Sequence, residues 1–288
     1  MKYRGRFAPS PSGHLHMGSL LAAVASYADA KHNNGDWFLR IDNIDTTRIS
    51  LGSESSILYS LEALGFKWDG HIRHQDNYNQ YQEALNYLLS HQHAYPCQCS
   101  RSEIYKLNNQ GIYSGICRSK RININNSVSI RINTQNRVSQ FKDIIQGNCG
   151  QNLEAQGDFI IRRSDKIISY HLAAIIDDYL DNITHVVRAH DLIDSSLKQT
   201  LLLKHLHLPV PTYAHIPILI NNEGIKLSKR SGANAVTNSL LQLYQAAKYL
   251  GQQPDKALLT ATFRDFWQEI INNWDIRQVP KCDKISEL

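Results

Sequence analysis

At 288 residues and 42% hydrophobic, the chain is long enough to bury a full core as one large domain or two intimate ones. No apolar run approaches the ~18 residues that cross a bilayer, and Met1-Lys2-Tyr3-Arg4 leads straight towards a strand, so a membrane-spanning or secreted protein is not expected and a soluble, cytoplasmic one is. Five cysteines, an odd number, make no disulfide framework in a chain of this size, and a net charge of +5 permits an anionic partner without demanding one.

Tyr3 to Phe7 is predicted as a short strand. It runs into Arg6-Phe7-Ala8-Pro9-Ser10-Pro11-Ser12-Gly13-His14-Leu15-His16-Met17-Gly18-Ser19, where two prolines fix φ and Gly13 tolerates positive φ, giving a tight, stiff turn. Leu20 to Lys31 is a run of good helix formers, apolar nearly all round and therefore buried. A strand, a stiff loop and a buried helix together present backbone N–H groups at a helix N-terminus, where phosphate binds. The spacing is neither Gly-x-Gly-x-x-Gly nor a Walker loop, which would place a Lys after its last glycine. His16 and Gly18 at the helix entrance set it apart.

Asp36 to Ile41 reads as a second strand ending in Asp42-Asn43-Ile44-Asp45, a polar cluster at the strand edge where open α/β sheets bind ligands. Ser53 to Leu64 is an amphipathic helix with Ile57, Leu58, Leu61 and Leu64 on one face and Gly65 as its stop. Asn77 to Ser90 is another, striped by Tyr78, Tyr81, Leu85 and Leu88. The order βα, β, α, α is that of the first half of a nucleotide-binding α/β fold.

The texture then changes. Cys97, Cys99 and Cys117 fall within 21 residues, and thiolates so spaced in a reducing compartment point to a structural zinc ion. Zinc takes four ligands, and the fourth is open among His91, His93 and Tyr113. Residues 118 to 156 are rich in Asn, Gln and Ser, with short alternating runs such as Val128 to Ile132, and read as small strands of an inserted module. Between residues 97 and 140, Arg101, Lys106, Arg118, Lys120, Arg121, Arg131 and Arg137 face Glu103 alone, a local basic surface that suits a phosphate backbone or a solvated face.

Asp158 to Arg163 and Ile167 to Tyr170 form a hairpin around Ser164-Asp165. Ile183 to Arg188 is a β-prone core strand. Arg188 at its end needs a carboxylate, either from a ligand or from Asp191 or Asp194. A guanidinium fork suits a carboxylate, whereas a neutral amide would leave its charge unanswered. Ser195 to His205 is a helix, Pro209 to Pro211 and Tyr213 to Pro217 a stiff connector, and Ile218 to Ile220 a last strand. Asn221-Asn222-Glu223-Gly224 turns into Lys226-Leu227-Ser228-Lys229-Arg230, a basic, glycine-flanked loop able to close over a triphosphate. Helices at Leu240 to Leu250 and Leu258 to Trp274 follow.

Pro9-Ser10-Pro11-Ser12-Gly13-x-Leu15-His16-Met17-Gly18 resembles the "HIGH" signature of class I aminoacyl-tRNA synthetases in the form used by the glutamyl and glutaminyl group, with Ser19 in place of the last His. Lys226 to Arg230 resembles the partner signature, "KMSKS". Either string alone is weak; the two in this order and at this separation are strong. The resemblance implies an α/β, Rossmann-like nucleotide-binding fold in two halves (1–92 and 157–235). It also implies an inserted zinc-bearing, RNA-contacting module (93–156) and a short helical C-terminal region (236–288) without an anticodon-binding domain.

For the site, the resemblance implies ATP with Mg²⁺, bound by Pro9, His16, Gly18, Ser19, Lys226, Ser228 and Lys229, with His16 and Lys229 as catalytic groups at the phosphoryl oxygens. It implies L-glutamate held by Arg6, Ala8, Ser10, Asp42, Tyr170 and Arg188. Asp42 stands where the group usually has Glu and would take the α-ammonium; Arg188, aided by Arg6 and Tyr170, would take the side-chain carboxylate. Cys-x-Cys-x13-Tyr-x3-Cys is similar to the zinc site of a truncated branch of the group, which implies Tyr113 as the fourth ligand. Only 58 residues follow Arg230, too few for the anticodon-binding region of a full synthetase. The resemblance therefore falls on that truncated branch, the glutamyl-queuosine tRNA(Asp) synthetases, which implies a monomer that transfers glutamate to queuosine in the anticodon stem-loop of tRNA(Asp). A truncated glutamyl-tRNA synthetase charging a 3′ end is the alternative; a small-molecule adenylyltransferase and a non-catalytic RNA-binding relic are the more distant rivals.

Overall fold

The structure, a computed structural model, describes residues 2–124, 128–221, 223–227 and 234–287. Strand β1 (Arg4–Phe7) lies parallel to β2 (Asp36–Ile41), and helix α1 (Met17–His32) connects them. After α2 (Ser53–Ala63), the short β3 (Arg73–His74) extends that sheet beside β2, and α3 (Tyr78–Ser90) follows. Next come β4 (Ala94–Cys97), α4 (Arg101–Leu107), β5 (Ser129–Ile132), β6 (Val138–Asp143), β7 (Gly147–Asn152) and β8 (Ile160–Arg162). The second half holds α5 (Tyr170–Leu180), β9 (His185–Ala189), α6 (Ile193–His205), β10 (Thr212–Ile216) and β11 (Ile218–Ile220). Helices α7 (Leu240–Tyr249) and α8 (Phe263–Asn273) and strand β12 (Lys284–Ser286) close the chain.

Strands β9, β10 and β6 pair in parallel and β7 folds back antiparallel on β6. This sheet abuts the first one: the Thr184 N–H donates to the Arg4 carbonyl at 2.9 Å, and the Arg4 N–H donates to Thr184 Oγ1 at 2.8 Å. Succession in the chain thus runs outwards from β1 through β2 to β3 on one side and from β9 to β10 on the other, beyond which the earlier strand β6 is added. Such a reversal opens a crevice above the carboxyl ends of the two strands, the usual ligand position in open α/β sheets.

Both faces of the sheet are covered, as parallel pairing requires. Neighbouring residues on each strand enter different cores: Trp37, Val187 and Ala214 face α1, α7 and α8, whereas Phe38, Val186 and Tyr213 face away from them, the period-two pattern of a strand. Helix α1 is built from Leu and Ala and is buried from Leu20 to Ala30 with one break at Ala22; its small side chains let sheet and C-terminal helices close on it from two sides. Helix α8 is pinned there by the indole N–H of Trp267 on the Leu64 carbonyl (2.9 Å) and flanked by that of Trp274 on Asp29 (3.0 Å). Each buried large apolar side chain contributes about 1.5–3 kcal/mol.

Several elements differ from the sequence-based expectation. Tyr213 to Pro217 is no connector: Thr212–Ile216 is strand β10, central in its sheet between β6 and β9. Pro211 and Pro217 bracket it without entering the ladder, where a proline could not donate. Helix α8 starts at Phe263, because the Thr262 hydroxyl caps the Asp265 N–H at 3.2 Å, and Lys256–Thr260 is a separate 3₁₀ turn. Strand β12 was not anticipated; it lies parallel to β11, Ile218 beside Lys284. Residues 93–156 divide between two sheets: β5 pairs antiparallel with β4 on one side and β8 on the other, whereas β6 joins β10, where the buried Ser139 hydroxyl donates to the Leu197 carbonyl at 2.7 Å. Among the described residues no helix is long and apolar enough to cross a membrane.

Candidate active site

A cavity of about 870 Å³ opens above β1 and β9, within the usual ~300–1,000 Å³ of a small-molecule site. The loop from β1 into α1 brings Arg6, Ala8, Pro9, Ser10, His16, Gly18 and Ser19 to it; Tyr170 from the start of α5, Arg188 from β9 and Lys226 complete the wall. Arg48, Ser12 and Asp191 also line it and were not foreseen. Ser228 and Lys229 lie outside the described residues. Asp42 does not line the cavity; it is buried behind it.

The two distant signatures meet at the N-terminus of α1. His16 caps the helix, Nδ1 accepting the Ser19 N–H at 3.3 Å. Gly18 is needed there: a Cβ would lie 3.2 Å from both the Leu227 carbonyl oxygen and the His16 ring. Beyond the second signature the chain returns, with the Val236 N–H on the Leu15 carbonyl at 2.9 Å and Ala235 bridged to His16. No acidic residue stands in the first turn of α1, so its N–H groups and positive dipole end favour an anion. Lys226 pairs with Asp191 across the mouth.

Two buried arginines behind this wall are treated differently. Arg40 gives Nε to Asp42 Oδ1 and Nη1 to Asp178 Oδ1, each at 2.7 Å, and Arg6 grips the same Asp178 through Nε and Nη2 at 3.1 and 3.3 Å. Burial works to raise the Asp178 carboxyl, yet Arg6 and Arg40 together hold it below the ordinary value. Burial raises that of Asp42, against the pull of Arg40. Asp42 Oδ2 is left without a partner. Arg188 is 5% exposed, and among the described residues it forms no ion pair: its acceptors are Ser196 Oγ, Gln199 Oε1 (2.7 Å) and His215 Nε2 (3.4 Å), all neutral, above the Tyr213 ring. Asp191 is engaged by Lys226, so the internal pairing of Arg188 with Asp191 or Asp194 is not formed. Arg188 Nη1 has no partner. The sequence reading missed Asp178; its signal is Asp177-Asp178 inside the apolar run of α5, where buried acids require cationic or hydrogen-bonding partners.

A second cluster sits at the end of β4. Cys97 closes that strand, and Cys99 precedes Ser100, which caps α4 reciprocally with Glu103. The sulfurs of Cys97, Cys99 and Cys117 lie within 4.8 Å of one another. The Tyr113 hydroxyl joins them, 3.3 Å from Cys97 Sγ and 3.7 Å from Cys99 Sγ. The rival histidines are occupied elsewhere: His93 stacks on His205 and His91 on Tyr87, each pair at 3.9 Å. Burial pushes the Cys99 thiol up to about 11, so a cation is needed to hold it ionised at neutral pH.

The basic stretch is less charged than its composition. Arg118 is chelated by Asp158 at 2.7 Å through two nitrogens, and the buried Arg131 donates to the Asp158 carbonyl and lies over the Tyr113 ring. Asp158 lies outside the stretch where the charge was counted. Arg101, Lys106, Lys120, Arg121 and Arg137 remain exposed.

The family model of the catalytic domain of class I tRNA synthetases (E and Q) matches residues 2–273. The chain belongs to this family. Among its relatives, a glutamyl-Q tRNA(Asp) synthetase of Pseudomonas syringae is 38% identical over 98% of this chain and 96% of its own length. One of Photobacterium profundum is 39% identical over 98% and 92%. Among solved structures, the glutamate-tRNA synthetase of Elizabethkingia anophelis superposes with a TM-score of 0.83 at 26% identity, covering 99% of this chain and 68% of that one. The glutamate tRNA ligase of Elizabethkingia meningosepticum, solved with its amino acid, gives the same score and identity. A class I synthetase of the E and Q group uses ATP with Mg²⁺, and the α1 N-terminus is an anion-attracting feature beside the cavity.

Proposed function

We propose that the chain activates L-glutamate with ATP to glutamyl-adenylate and transfers the glutamate to queuosine in the anticodon stem-loop of tRNA(Asp). The observation that carries the amino-acid assignment is Arg188: a buried guanidinium on the cavity, with neutral acceptors and an unused Nη1, calls for an anionic side chain. Tyr170 and Arg6 flank it, Ala8 and Ser10 line the loop wall, and the orphaned Asp42 Oδ2 is our candidate for the α-ammonium, reached through a water or a small shift of the wall.

The α-carboxylate attacks the α-phosphorus in line and pyrophosphate leaves. The nucleophile is already ionised, so no general base is needed, and catalysis is positioning plus charge stabilisation. His16, Pro9, Gly18 and Ser19 would receive the phosphoryl oxygens at the head of α1, Lys226 would face them from the opposite wall, and Ser228 and Lys229 follow it in sequence. Mg²⁺ bound with the nucleotide would supply charge neutralisation on the pyrophosphate.

We read residues 93–156 as the RNA-contacting module, with the five exposed basic residues as its phosphate contacts. Three thiols and a phenol within reach of one centre fit the soft, tetrahedral preference of zinc, so Cys97, Cys99, Tyr113 and Cys117 would hold a zinc ion that ties β4 to the 113–117 turn. Relatives named for glutamyl-Q tRNA(Asp) along nearly the whole chain favour queuosine as acceptor. The likeness to glutamate-tRNA synthetases supports the second reading, charging of a tRNA 3′ end. Labelled glutamate given with queuosine-containing tRNA(Asp), unmodified tRNA(Asp) and tRNA(Glu) separates them. Label on the modified anticodon is expected, label on a 3′ end would move the acceptor, and glutamine exchanging pyrophosphate as well as glutamate would end the first reading.

A further inference from the structure

Arg188 ends a chain of buried hydrogen bonds whose other end is a carboxylate that the guanidinium never touches. Asp143, the last residue of β6, accepts backbone N–H groups of Ile145 and Gln146 at 2.9 Å and of His215 at 3.2 Å. Its Oδ2 lies 2.6 Å from His215 Nδ1. Across the ring, His215 Nε2 lies 2.6 Å from Ser196 Oγ and 3.4 Å from Arg188 Nε. Both Asp143 and His215 are fully buried, 72 residues apart in sequence and brought together because β6 and β10 are sheet neighbours.

The partners leave one protonation pattern. Burial would raise the Asp143 carboxyl, but the His215 ring and the backbone N–H groups hold it below the usual value, so it is an acceptor only. Burial pushes His215 down to about 4, so the ring is neutral at pH 7. Nδ1 therefore carries the proton and Nε2 is a lone pair facing the Arg188 Nε–H and the Ser196 hydroxyl, whose one proton is shared between that lone pair and the Leu192 carbonyl at 3.0 Å. The other tautomer would set N–H against N–H on one side and lone pair against carboxylate on the other.

We propose that Asp143 and His215 are positioning residues for amino-acid selection: through one histidine tautomer they fix the Arg188 guanidinium with Nη1 left for the side-chain carboxylate of glutamate. This rests on the role given to Arg188 above. The arrangement orients the guanidinium without neutralising it. Nε and Nη2 are consumed by His215, Ser196 and Gln199, and the nearest negative charge of this chain of bonds stands a full imidazole away. A carboxylate placed directly on Arg188 would orient it equally well but would cancel the charge that separates glutamate from glutamine.

The test is glutamate-dependent ATP–pyrophosphate exchange by the full chain, with separate KM values for glutamate and ATP. His215→Phe keeps a ring beside Phe141 and Tyr213 but removes the acceptor; the glutamate KM should rise about tenfold or more while the ATP KM stays within about twofold. His215→Gln, which can restore an acceptor oxygen, should recover most of the loss. Gln199→Glu, which sets a carboxylate against Nη2, should lower the preference for glutamate over glutamine. Equal changes in both KM values, or no rescue by Gln, would overturn the proposal. The tautomer is read independently from the ¹⁵N shifts of the His215 ring in the wild-type chain; an Nε2–H form would overturn it even if the His215 variants fail to fold. Absence of glutamate exchange in the wild type would instead sink the functional reading, while the nitrogen shifts would still decide the tautomer.

Discussion

Arg40 on β2 and Arg188 on β9 are equally hidden side chains on strands of one layer, and the protein handles their charges in opposite ways. Around Arg40 the chain supplies its own anions, Asp42 and Asp178, with Arg6 sharing the second. Around Arg188 it supplies a hydroxyl, an amide oxygen and an imidazole lone pair. In the first region each guanidinium has a carboxylate of this chain, and only Arg40 Nη2 and Asp42 Oδ2 are left without a partner. The second gains a counter-charge only when an anion comes from outside. Exposure alone would not tell the two apart; the identity of the acceptors does.

Four measurements would break or sharpen this contrast. The largest effect is expected in the first region: Asp178→Ala removes the carboxylate of the buried Arg6 and one of the two that hold Arg40, and should destabilise the fold by about 3–5 kcal/mol in urea unfolding, whereas a loss below about 1 kcal/mol would mean that these pairs do not hold the fold. Arg188→Ala abandons no acid and should cost less stability than Asp178→Ala, but it should reduce kcat/KM for glutamate about 10²–10³-fold, about 3–4 kcal/mol of transition-state binding. A drop in stability without a drop in activity would reverse the roles of the two arginines.

With the zinc ion proposed above, the thiol cluster follows the same rule with the sign exchanged. Tyr113→Phe should weaken zinc retention about 10- to 100-fold in competition with a chelator; unchanged retention would remove Tyr113 from the ligand set. The smallest effect concerns a third way of hiding a basic group, which is to give up its charge. Burial drives His205 down to about 4 from its ordinary value. The unfolded chain therefore binds more protons between those values, and stability falls as pH falls through about 6.5 towards 4. Wild type should lose about 1–2 kcal/mol more than His205→Phe between pH 7 and 5, and parallel curves would show that His205 is charged in the fold.

Much of the framework was readable because it depends on local pattern. The apolar and aromatic run in Asp36 to Ile41, the Ala/Leu run of α1 and the stop at Gly65 each follow from neighbours in sequence, and the signature loops carry their spacing with them. What stayed hidden depends on partners far along the chain. β10 looked like a connector because its flanking prolines are visible and its place between β6 and β9 is not. Arg40 shares its charge between Asp42, two residues on, and Asp178, 138 residues away, and only the first of these is near in sequence. Arg118 counted as surface charge until Asp158 was found beneath it, and Asp143 and His215 had no reason to be read together at all.

The pairing of β11 with β12 has a consequence for biosynthesis. The strand that leads into Lys226 has, among the described residues, a single strand partner, Lys284–Ser286. While the ribosome is still making the C-terminal helices, that partner does not exist, and after its synthesis it must still clear the exit tunnel. A nascent polypeptide can therefore fold the first signature and the sheet behind it before the second jaw is braced, which waits until residues 284–286 have been made and have emerged.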